Sequence, residues 1–139
     1  MHFINDRQIT LNLDLPESFL LSIDRIRIGQ VITNLLSNSI KNTPSKGEIT
    51  INLQDKDKSA LITVRDTGVG LIKSELNRIF TRFGKIERYG NGLEYIDIQG
   101  SGLGLYISKE IVELHNGEIS AKSRGRHKGS VFTIKLPKK

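Results

Sequence analysis

Residues 48–66, EITINLQDKDKSALITVRD, decide the fold. Two runs, Glu48 to Leu53 and Ala60 to Asp66, alternate apolar and polar side chains, the period that puts one set on each face of a strand. The charged tract Gln54 to Ser59 between them reads as the connection of a hairpin. Such a hairpin has one apolar face, and a covering helix lies just upstream. From Asp24 to about Asn42 the residues Ile28, Val31, Ile32, Leu35, Leu36 and Ile40 recur at helical spacing, and Thr43-Pro44 stops the run.

Further out, Gln8 to Leu15 alternates as Ile9, Leu11, Leu13 and Leu15 until Pro16 ends it. Downstream, Lys73 to Phe83 carries Leu76, Ile79, Phe80 and Phe83 and suits a short helix, after which Gly84 to Gln99 loses any period and reads as a loop. Leu103, Ile107, Ile111 and Leu114 form the stripe of a second long helix, with Asn116-Gly117 as a left-handed cap. Glu118 to Ser123 and Val131 to Leu136 close the chain as strands. The expected fold is an α/β (α+β) two-layer sandwich, in which a mixed, mostly antiparallel sheet of about five strands carries about three helices on one face. One domain over residues 1–139 is expected, because a chain of 139 residues that is 37% hydrophobic can bury a core.

The chain has no cysteine, which removes disulfides and thiolate metal sites and leaves oxygen ligands for any metal. No apolar run approaches the roughly 20 residues of a membrane helix, and Met1 to Thr10 lacks a signal-peptide core. A cytoplasmic chain without membrane contact is expected, even where a parent protein is membrane-anchored. The net charge of +6 gathers at one end, since no acidic residue follows Glu118 while Lys122, Arg124, Arg126, Lys128, Lys135, Lys138 and Lys139 do. Without a series of stacking aromatics among these charges, they read as a solvated basic surface, and no nucleic acid is expected.

Three groups of residues have the makings of a site. On the first long helix Gln30, Asn34, Asn38 and Lys41 are separated by four, four and three residues, so they fall in one stripe beside the apolar face. An asparagine oxygen suits Mg²⁺ beside phosphate, and a lysine one turn on can neutralise charge, although any amphipathic helix has a polar face. The second group, Asp66-Thr67-Gly68-Val69-Gly70, follows an apolar strand; its carboxylate can accept from an exocyclic amine, and its glycines permit close approach. An ordinary Asp-containing turn would look the same. The third, Gly100-Ser101-Gly102-Leu103-Gly104-Leu105, runs into a helix whose free amides can bind phosphate, but it lacks the Lys-Ser/Thr pair of a P-loop and follows no strand.

In order, Asp24-Arg25 to Lys41, Asp66 to Gly70, Ile79-Phe80-Thr81-Arg82-Phe83 and Gly100 to Leu105 resemble the asparagine, first glycine, phenylalanine and second glycine boxes of the histidine kinase ATPase family. The resemblance runs from about Gln8 to Leu136 and implies the Bergerat-type ATP-binding fold shared with type II topoisomerase, Hsp90 and MutL ATPases. It implies that ATP and Mg²⁺ are cofactors, that Asn38 holds the metal, that Asn34 supports metal and phosphate, and that Lys41 contacts phosphate. Asp66 would take the adenine amine, Gly68 and Gly70 would shape the base pocket, and Gly100, Gly102 and Gly104 with Leu103 would close over the phosphates. The implied ATP-binding set also takes in Asn42, Leu71, Ser101 and Leu105. Phe80 and Phe83 would anchor a mobile lid at about 84–102, on which Lys85 and Arg88 would meet the γ-phosphate and Gly90 and Gly92 would allow movement.

The hydrolysing relatives place a glutamate base where this chain has Asn34, which cannot accept a proton at neutral pH; the resemblance therefore implies transfer to an external nucleophile. The expected reaction passes the γ-phosphoryl group to a histidine on a separate dimerisation domain of the same kinase, with a response regulator downstream. A serine-directed kinase, an ATP-hydrolysing clamp and a non-catalytic nucleotide-binding module are the alternatives. Asn42 departs from the family, which often has an aromatic there, and Ser101 replaces a common threonine. His2, His115 and His127 read as structural or surface residues, not as the phosphoacceptor.

Overall fold

A computed structural model describes residues 2–4, 8–16, 21, 23–81 and 104–138. One six-stranded sheet runs in the order β1-β2-β3-β4-β6-β5, built from β1 (His2–Ile4), β2 (Ile9–Asp14), β3 (Glu48–Lys56), β4 (Ser59–Asp66), β5 (Glu118–Lys122) and β6 (Ser130–Pro137). The five strands read from the alternation are all present. The sixth, β1, is an antiparallel edge strand of three residues, too short to show a period. β2 and β3 pair in parallel and every other neighbour is antiparallel. The parallel pair exists because a helical crossover separates its strands.

That crossover is α1 (Arg25–Asn42). The Asp24 side chain caps its start by accepting the Arg27 N–H at 3.1 Å. It ends at Thr43, whose extended backbone (φ −106°, ψ 119°) is what a residue before proline adopts. α3 (Gly104–Leu114) stops where Asn116 turns left-handed at φ 61° and Gly117 N–H reaches back to Val112 O at 3.0 Å. His115 ties the two helices together: Asp24 N–H donates to its Nε2 at 3.0 Å, and its Nδ1 meets Ile111 O at 2.9 Å. The expected helix over Lys73 to Phe83 shortens to α2 (Lys73–Leu76), beyond which three-residue turns such as Arg78 N–H to Glu75 O take over. These turns still bury Ile79 and seat Phe80 against the core.

The register aligns rows of side chains across the sheet. Ile51, Val64, Phe132 and Ala121 form one row, and Leu53, Ile62, Ile134 and Ile119 the next. With Ile28, Val31, Leu35, Ile111 and Val112 from the helices, they form the core. The other face carries Asn12, Thr50, Arg65, Thr63, Thr133, Lys122 and Lys135, the polar alternates of the same strands. At the end of the core-facing rows stand Leu11, Ile49, Asp66 and Ser130, so β4's alternation delivers a carboxylate onto the helix-covered face.

Candidate functional site

Asp66 is 4% exposed and accepts three hydrogen bonds. Ser39 Oγ donates to Oδ2 at 3.0 Å, Ser130 Oγ donates to the same oxygen at 2.9 Å, and Gly68 N–H donates to Oδ1 at 2.9 Å. A carboxylate has about four acceptor positions, so Oδ2 is filled and Oδ1 keeps room for one more donor. Neither serine belonged to the expected site. Both stand at core positions of their elements, Ser39 one turn after Leu35 and Ser130 in step with Phe132 and Ile134, and a polar residue there needs a partner.

The turn after Asp66 is held on two sides. Against the end of α1, Val69 N–H donates to Asn42 O at 3.0 Å, and a Cβ on Gly68 would lie 2.2 Å from that same oxygen. Gly68 is therefore required by packing against the helix, whatever binds beyond it. On the other side stands the connection between β5 and β6. His127 N–H donates to Val69 O at 2.7 Å, Gly129 N–H to Gly68 O at 3.1 Å, and Leu71 N–H to Ser123 Oγ at 2.9 Å. Arg126 adds Nη1 to Gly70 O at 2.8 Å and Nη2 to Glu75 Oε2 at 2.7 Å, while Glu75 Oε1 accepts Ile72 N–H at 3.0 Å.

Arg126 thus leaves the solvated basic surface expected of it, because its guanidinium neutralises a carboxylate whose side chain is only 5% exposed. Arg126→Ala would strand that charge against the turn. We expect it to cost about 2 kcal/mol, the scale of a hydrogen bond to a charged group, as a lowered urea midpoint with unchanged slope.

α1 joins these parts to α3. Asn34 Nδ2 donates to Gly104 O at 3.4 Å and to Ser108 Oγ at 3.3 Å, so its amide group spans the gap between the helices. Asn34, Asn38 and Lys41 are half-buried along α1, and Asn42 is its last residue. Leu71 is buried, and Phe80 packs edge-on against Phe132 with ring centroids 6.2 Å apart, which anchors the chain entering the expected lid. Gly104 and Leu105 open α3. Phe83, Lys85, Arg88, Gly100, Ser101, Gly102, Leu103 and the expected lid lie outside the described residues. Of the expected groups, the structure brings the asparagine stripe, the aspartate turn and the start of α3 to one end of the sandwich.

The profile of the family described as histidine kinase-, DNA gyrase B-, and HSP90-like ATPase matches residues 23–139. Sensor histidine kinase TmoS of Ectopseudomonas mendocina is 40% identical over 132 residues, which are 94% of this chain and 13% of that protein. The chain thus spans a small part of that relative. Among solved structures, the nucleotide-free catalytic domain of histidine kinase ThkA superposes with a TM-score of 0.78 at 28% identity, covering 95% of this chain and 82% of that one. Histidine kinase ThkA in complex with response regulator protein TrrA gives 0.74 at 27% identity, covering 96% and 35%.

Proposed function

Because this chain belongs to the histidine kinase-, DNA gyrase B-, and HSP90-like ATPases, we propose that it binds Mg-ATP and donates the γ-phosphoryl group to a histidine on a separate dimerisation domain. A response regulator then receives the group, by analogy with histidine kinase ThkA, which forms a complex with response regulator protein TrrA. The whole chain acts as one catalytic domain in a cytoplasmic setting. The observation that carries the reading is the remaining acceptor position on Asp66 Oδ1, fitted to one N–H of an adenine amine.

The donors present also suit the metal. Among the described residues no group of three or more His, Cys, Asp or Glu side chains could hold a metal ion. A divalent ion here would be held mostly by phosphate and water, the manner of Mg²⁺, with Asn38 Oδ1 as the protein's oxygen. Once bound, Mg²⁺ supplies charge neutralisation on the triphosphate. Lys41 offsets further phosphate charge from the last turn of α1. Asn34 positions α3 through its two donated hydrogen bonds. A glutamate in its place would face the Gly104 carbonyl with no proton to give, and without a base at this point the domain does not activate water. The phosphoryl group therefore waits for an incoming imidazole.

The test is to incubate the chain with radiolabelled Mg-ATP and a separately supplied histidine-bearing dimerisation domain. Acid-labile phosphate on that domain, with little free phosphate from the chain alone, is expected. Acid-stable phosphoserine on a partner, or steady hydrolysis by the chain alone, would overturn the reading.

A further inference from the structure

Asn42 ends α1 where related kinases often have an aromatic residue, and its side chain turns back along the helix. Its Nδ2 donates to Asn38 O at 2.7 Å and to Asn38 Oδ1 at 3.2 Å. Its backbone oxygen accepts Val69 N–H at 3.0 Å from the aspartate turn. One residue therefore touches the carboxamide of Asn38 and braces the turn that carries Asp66.

The first contact bears on the metal. A carboxamide rotates in a broad, nearly two-fold well, and its oxygen and nitrogen ends are close to equal in size. Which end faces a ligand is set by a neighbour that can only donate or only accept. The Asn42 amide nitrogen can only donate, so the Asn38 atom facing it is the oxygen. That oxygen has two lone pairs, one engaged by Asn42 and the other left for a cation. We propose that Asn42 is a positioning residue that holds the Asn38 carboxamide with its oxygen presented to the divalent ion of the bound nucleotide. This rests on the assignment of Asn38 as metal ligand made above. A side chain without a donor, such as phenylalanine, could not perform this task.

The test separates metal from nucleotide. ATP affinity of the chain is measured by calorimetry in EDTA, and Mn²⁺ affinity of the chain–ATP complex by the loss of the free-ion paramagnetic resonance signal. Both are done for the wild type, Asn42→Leu and Asn38→Ala, with Asn42→Ala standing in if the leucine variant does not fold. Removing the donor is expected to weaken Mn²⁺ binding about tenfold, the lower end of what a lost outer-sphere partner costs. Metal-free ATP affinity should fall by much less than Mn²⁺ affinity does. Wild-type Mn²⁺ affinity in the Asn42 variant, beside a loss in Asn38→Ala, would overturn this proposal and leave Asn38's assignment standing. Full Mn²⁺ affinity in Asn38→Ala would overturn both. An equal loss with and without metal in the Asn42 variant would make its role a brace for the turn alone and also overturn the proposal.

Discussion

Asp66→Ala is expected to weaken ATP binding about 100-fold, because a hydrogen bond to a charged acceptor contributes up to about 3 kcal/mol and each 1.4 kcal/mol is about a factor of ten. The loss has a specific origin. Oδ2 is saturated by the Ser39 and Ser130 hydroxyls, so the acceptor left for a ligand is the one on Oδ1, already oriented by Gly68 N–H. Asp66→Asn should behave differently. Turned so that its Nδ2 donates to the two serine oxygens, the amide keeps its oxygen at Gly68 and in reach of the ligand. That variant should fold and bind with intermediate affinity. Calorimetric titration of ATP into each variant decides the matter, and wild-type affinity in Asp66→Ala would remove Asp66 from the site.

The second large effect belongs to Gly68→Ala. The added Cβ would come 2.2 Å from Asn42 O and 2.9 Å from Asp66 Oδ1, and the first of these is backbone that ends a helix. Overpacking of this kind costs up to about 3 kcal/mol, and separating the turn from α1 forfeits the Val69 N–H to Asn42 O bond for about 1 more. A loss of about 4 kcal/mol is expected in urea unfolding without nucleotide. Gly104→Ala is the control, since a Cβ there meets nothing within 4 Å among the described residues and should leave stability unchanged. Equal stability of the two variants would mean that Gly68 serves the ligand alone.

The sheet was legible because alternation along Glu48 to Leu53 and Ala60 to Asp66 reports which side chains share a face. Continuing β4's alternation one step beyond Val64 also tells that Asp66 points inward. What alternation does not report is register across strands, and register sets Ser130 opposite Asp66. Ser39 could have been found as a polar break in the apolar stripe of α1. Arg126 could not, because its one-sided cluster of basic neighbours resembles any charged surface, and its partner Glu75 lies 51 residues away. The helix expected after Lys73 fell short because Leu76, Ile79 and Phe80 have spacings that a run of turns meets as well as a helix does.

The bond from Ser130 to Asp66 spans 64 residues and that from Asn34 to Gly104 spans 70, while the β3–β4 hairpin closes over a two-residue turn. Loop-closure entropy lets the hairpin form early and defers those distant ties. The carboxylate thus acquires its second serine only when β6 pairs with β4. On the proposed reading nucleotide binds the site that these ties complete, so it should raise the unfolding midpoint through mass action on the native state.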